Sequence, residues 1–196
     1  MSKEKEKLEL REEQEDSGNS LFEWTRALVG AVLGVVLFFV FVAQMITVQG
    51  PSMQNTLYAG DKVLVLKSAL CEIEAGDVVM IHQYNAQLNE TIIKRVIATG
   101  GQTVDIDYAT NSVYVDGERL EEDYIKEPMA DITGDPFRAQ THFEVPEGSI
   151  FVMGDNRNGS DDSRNSLIGC IDEDYLLGKA VLSIFPFSTF GVLDHG

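Results

Sequence analysis

The sequence predicts a mainly β fold, a β-rich domain carried behind a single N-terminal transmembrane helix. Three observations carry this reading. Ala27 to Val48 is a run of 22 residues interrupted only by Gln44, Thr47 and two glycines, which is long enough to cross a bilayer as one helix. After it come short runs that are β-branched or alternate apolar with polar, bounded by Gly-Asp and Asp-Gly turns. Nothing after the run demands a helix longer than about two turns.

In chain order, residues 1–26 form a charged tail, of which Met1 to Ser20, rich in Glu and Lys, reads as disordered or transiently helical and Leu21 to Arg26 leads into the membrane helix. Phe22 and Trp24 suit the membrane interface at its end. Residues 27–48 form the transmembrane segment. A cleaved secretory signal fits less well, because its apolar region would be too long and the residues ahead of it are acidic. Charge sets the orientation poorly, since the nearest cations are Arg11 and Arg26 on one side and Lys62 and Lys67 on the other.

Residues 49–196 then suit one compact domain. Its strands are expected at Lys62–Leu66, Asp77–Ile81, Thr91–Ala98, Thr103–Ile106, Ser112–Val115, Ile150–Met153 and Ala180–Phe185. Gly60-Asp61, Gly76, Gly100-Gly101, Asp116-Gly117 and Glu147-Gly148 punctuate them. From Val48 onward 24 Asp and Glu stand against ten Lys and Arg, a net charge of −14. A surface of that sign makes nucleic acid an unsuitable partner, since phosphate binding needs a basic face. Cys71 and Cys170 are too few for a disulfide scaffold; they read as two small buried hydrophobes, with one bridge as the alternative.

Three stretches carry chemistry. Ser52, in Gly50-Pro51-Ser52-Met53, follows the apolar run within a few residues and lacks the two flanking glycines of a nucleophile elbow. His82, His142 and His195 stand in no recognisable motif and read as surface or packed histidines. Lys94 instead lies inside the strand Ile92 to Ala98, where alternation gives it the face of Ile92 and Val96. At its ordinary pKa of about 10.4 a lysine is charged and cannot serve as a base, but desolvation on an apolar face lowers that value. Lys94 could then take the Ser52 proton; a lysine snorkelling from a strand edge is the competing reading. The third stretch, Gly154-Asp155-Asn156-Arg157 followed by Ser160, Asp162, Ser163 and Arg164, is a tight polar loop directly after a strand. Ser160 could hydrogen-bond a lysine amine, and Asp162 could pair with Arg164 to hold the loop. A cation loop is the alternative, but the spacing departs from the helix-flanked calcium pattern.

Taken together and in this order, these boxes resemble type I signal peptidase, the membrane-anchored Ser/Lys protease of protein export. Gly50 to Leu57 is similar to the family's nucleophile box, and Gly60 to Val65 with Gly76 to Val79 to its second. Ile93 to Ile97 resembles the lysine box, Gly154 to Arg164 the signature loop, and Gly178-Lys179-Ala180 through Phe187 the last strand. Three positions depart from the pattern: Asn55 stands where the family often has proline, and Gly100 and Gln102 where it often has proline and an acidic residue. Gly50 stands where Gram-negative members carry a hydroxyl residue that donates to the oxyanion, and glycine there is usual in the Gram-positive type.

The resemblance implies a serine endopeptidase that removes N-terminal signal peptides from exported preproteins through an acyl-enzyme. Ser52 and Lys94 would be catalytic, with Ser160, Asp162, Arg164, Met53 and Gly50 supporting. It implies no metal or other cofactor. The partners would be signal peptides and the lipid bilayer, with the N-terminus cytoplasmic and the catalytic domain extracytoplasmic. A Ser/Lys self-cleaving repressor would need a DNA-binding domain in place of the span. A non-catalytic membrane-anchored β-domain acting as an assembly partner would need neither Ser52 nor Lys94.

Overall fold

The computed structural model describes residues 2–84, 89–130 and 135–193. Two compact units divide it, Met1–Val42 and Ala43–Gly196. The first is one helix, α1, Ser2–Phe41. Its part from Leu21 to Phe41, 21 residues, is long and apolar enough to cross a membrane.

The apolar run is therefore not one helix to Val48. The chain leaves α1 at Phe41 and enters strand β1, Ala43–Thr47, which pairs antiparallel with β2, Lys62–Lys67, from Ala43 opposite Leu66 to Thr47 opposite Lys62. Hydropathy alone does not separate the two states. The β-branched Ile46, Thr47 and Val48 favour the strand, and β2 takes up the backbone hydrogen bonds that a continuing helix would have satisfied internally.

The second unit holds two antiparallel sheets among the described residues. The larger adds β3, Val78–Tyr84; β4, Asn89–Thr99; β9, Ser149–Met153; β10, Ile171–Asp172; and β11, Leu176–Phe185. Its order is β1-β2-β11-β3-β4-β9-β10, with β12, Gly191–Val192, on β11. The smaller runs β7-β6-β5-β8, from β5, Thr103–Asp107; β6, Ser112–Val115; β7, Glu118–Arg119; and β8, His142–Glu144. The seven expected strands are all present, and the helices of this unit are short 3-10 turns.

The core falls into three clusters. Ile97, Val104, Val113, Phe143 and Phe151 join the two sheets. Met53, Leu57, Val63, Val65 and Ala180 pack the nucleophile segment against the larger sheet. Ile92 packs against a third cluster that includes Val79, Ile81 and Val96. Both cysteines are free and half-buried, so neither the bridge nor full burial holds; Cys170 packs on the edge of the first cluster.

Candidate active site

The nucleophile segment is a compact turn. Gly50 has φ +76°, a left-handed conformation in which a side chain would be strained, and it turns the chain into Pro51. Gln54 N donates to Pro51 O at 3.1 Å, and Leu57 N to Met53 O at 2.8 Å. Met53 and Leu57 are fully buried and anchor the turn in the core. Ser52, directly before Met53, is half-buried and faces an open cleft of about 630 Å³. Lys94 lines the same cleft, with Gly50, Ile46, Met80 and Ile93. The structure thus brings together the serine and the lysine that stand 42 positions apart in the chain.

Lys94 is only 4% exposed. Burial drives its pKa below the ordinary lysine value; the carboxylates of Asp162, Asp161 and Glu90 oppose that shift and the Arg164 guanidinium assists it. Of the histidines, His82 lies on β3 and His142 is exposed and paired with Asp105 at 2.6 Å. Neither lines the cleft, and His195 lies outside the described residues.

Strand register places the signature loop. Arg95 on β4 stands opposite Met153, the last residue of β9, so the residues just after β9 emerge beside Lys94. Gly154 shows how close the approach is. A Cβ there would meet Ser160 Oγ at 2.3 Å and Ser52 O at 2.5 Å, so only glycine lets the loop close on the nucleophile turn. Asn156 N then donates to Ser52 O at 3.0 Å and Asn156 Nδ2 to Pro51 O at 3.1 Å. At the loop's far end Ser163 pairs back with Val152 through backbone and side chain.

Asp162 and Arg164 form the expected pair, with Arg164 Nε to Asp162 Oδ1 at 2.8 Å and Nη2 to Oδ2 at 2.9 Å. Burial alone would raise the Asp162 pKa. The adjacent Arg164 charge and hydrogen bonds, with the Gly154 amide at 3.0 Å, outweigh it and hold the carboxyl below its usual range. Ser160 is buried against Gly154, and its hydroxyl is turned to Asp162, where it helps to hold that carboxyl down. The expected bond from Ser160 to the Lys94 amine is not formed in this state.

Sequence reading missed the groups that hold this assembly from behind. Asp155 accepts from Arg95 Nε at 3.0 Å and Nη2 at 2.9 Å, and Thr56 donates to the same carboxylate. Thr56 thereby ties the nucleophile turn to the strand that carries Lys94. Glu122 binds Arg157, and Tyr124 lies on Arg95. Asp155, Thr56 and Arg95 stood inside recognised boxes, whereas Glu122 and Tyr124 lie outside all of them, in an acidic stretch.

Residues 21–185 match the family described as signal peptidase, peptidase S26. The chain is 35% identical over 188 residues to signal peptidase I of Bacillus licheniformis, covering 93% of this chain and 98% of that one. It is 34% identical over 181 residues to signal peptidase I T of Bacillus subtilis strain 168, covering 87% and 88%. A crystal structure of a signal peptidase I from Enterococcus faecalis aligns at 27% identity with a TM-score of 0.43, over 56% of this chain and 97% of that one. The family match over residues 21–185 and the two Bacillus relatives agree, and the chain belongs to the signal peptidase family of S26 serine peptidases.

Proposed function

We propose that this protein is a membrane-anchored endopeptidase that removes signal peptides from exported preproteins by a Ser52/Lys94 dyad. The observation that carries the reading is the shared cleft, in which a 4% exposed lysine with a lowered pKa stands with a partly exposed serine. Neutral Lys94 takes the Ser52 proton as the hydroxyl attacks the carbonyl at the cleavage site. The leaving amine departs protonated and leaves an acyl-enzyme. A water deprotonated by Lys94 then attacks the ester and frees Ser52. The Ser52 backbone amide donates to the oxyanion.

An extended substrate adds as a strand beside the cleft, with small side chains at the first and third positions before the cut. The apolar Leu21–Phe41 segment anchors the chain. The tail is cytoplasmic and the β domain extracytoplasmic, where exported chains emerge.

The test is cleavage of a purified preprotein by the parent, Ser52→Ala, Lys94→Ala and the double variant. All three variants should lose activity to similar extents, because residues acting as one unit are strongly non-additive. Additive losses would remove the dyad, and a parent that yields no shortened product would favour the non-catalytic assembly partner.

A further inference from the structure

Residues 120–130 form no strand or helix, and no sequence box includes them. They nevertheless close on the site from behind the cleft. Three arginines are buried there, Arg95, Arg157 and Arg164, each at most 2% exposed. Arg95 and Arg164 take carboxylates from the signature loop itself, Asp155 and Asp162. The carboxylate of Arg157 comes from Glu122, whose two oxygens accept from Nη1 at 3.0 Å and from Nη2.

Tyr124 donates to Glu122 Oε1 at 3.1 Å and lays its ring 4.0 Å from the Arg95 guanidinium carbon. Lys126 N donates to Asp155 O at 2.9 Å. Alternate residues of this strap thus engage Arg157, Arg95 and Asp155 in turn.

Arg157 passes the restraint on. Its Nε donates to Gly154 O at 3.2 Å, and its own carbonyl accepts from Arg164 Nη2 at 2.7 Å. Gly154 is the residue wedged against the Ser52 carbonyl and Ser160. We propose that Glu122 is a positioning residue for the reaction, which by holding Arg157 sets Gly154 against the nucleophile turn and Arg164 against Asp162. The proposal rests on the dyad reading of Ser52 and Lys94. An arginine cannot shed its proton when its partner is lost, so without Glu122 the buried guanidinium must move toward water and take the loop with it. Glu122 does not line the cleft, so substrate binding should be spared.

The experiment uses the full chain in detergent with a preprotein, comparing the parent with Glu122→Gln, Glu122→Asp and the double variant Glu122→Gln/Arg157→Gln. Active sites are counted by the burst of alcohol released from a peptide ester. Per counted site, kcat of Glu122→Gln should fall roughly tenfold to a hundredfold, the range that small misplacements produce, with KM held within about twofold. Glu122→Asp should recover most of the loss.

If Glu122→Gln does not fold, the double variant removes the stranded charge. It should fold and remain slow, because Gly154 has lost its hold. Parent-like kcat per counted site in either Gln variant would overturn the proposal, leaving Glu122 a purely structural group. Ser52→Ala run in parallel separates the two readings: residual cleavage there would sink the dyad, whatever Glu122 does.

Discussion

At the scale of single residues, the proposed chemistry depends on what burial does to Lys94. The pattern Ile92, Lys94, Val96 was enough to expect a lowered pKa, and desolvation is its largest cause. Two of the opposing carboxylates, Asp161 and Asp162, were not legible, because they arrive from a loop more than 60 positions away and meet Lys94 only through strand register. A lysine whose folded pKa lies below its unfolded one makes the unfolded chain the better proton binder between the two values. Stability therefore rises with pH through that window, and below it the full cost of the buried charge remains. Lys94→Met should abolish cleavage yet leave the β unit at least as stable near neutral pH. Its advantage should shrink as pH approaches about 10.4. Denaturant melts of both proteins across pH check this, and a methionine variant clearly less stable at neutral pH would make Lys94 a solvated structural residue.

At the scale of elements, the site is one turn and one loop held in register by β4 and β9. Gly154 is where they touch. Gly154→Ala should cost about 1 to 3 kcal/mol by overpacking, and turnover should fall by on the order of a hundredfold because the Ser52 carbonyl must shift. A melt and a cleavage assay on one preparation separate the two effects. Asp162→Ala strands Arg164 in the interior, and loss of one partner from a buried pair costs about 3 to 5 kcal/mol. The native carboxyl is held below its usual range, so the stability it contributes is present above the unfolded carboxyl pKa of about 3.9 and lost as pH falls through the native value. The melting temperature of Asp162→Ala should therefore approach that of the parent in acid.

The same scale shows what could be read from sequence. Long β-branched runs between glycine turns announced seven strands, since alternation and turn chemistry are local. β1 was hidden because no glycine or proline turn separates it from the apolar helix before it. The strap at Glu122 and Tyr124 was hidden because only three-dimensional closure turns an acidic stretch into the partner of buried arginines.

At the scale of the whole molecule, the chain divides at Val42 rather than at Val48. Ala43 and Val48 are buried at 0% and 3%, and Ile46 packs on the second core cluster. A fragment beginning at Ala43 should fold and cleave a short soluble peptide. One beginning at Gln49 loses β1, uncovers the edge of β2 and forfeits apolar burial of about 1.5 to 3 kcal/mol for Val48 alone. Chemical melts of the two fragments should differ by at least that much. Equal stabilities would mean that β1 belongs to the anchor.

The central claim is that neutral Lys94 activates Ser52, and the pH dependence of the acylation burst tests it most directly. Measured on the full chain with a peptide ester, the burst rate should rise with pH through a single transition below the ordinary lysine value of about 10.4 and then level off. No burst should appear in Ser52→Ala or Lys94→Ala. A burst rate that does not rise with pH below about 10.4, or an undiminished burst in Lys94→Ala, would contradict the claim.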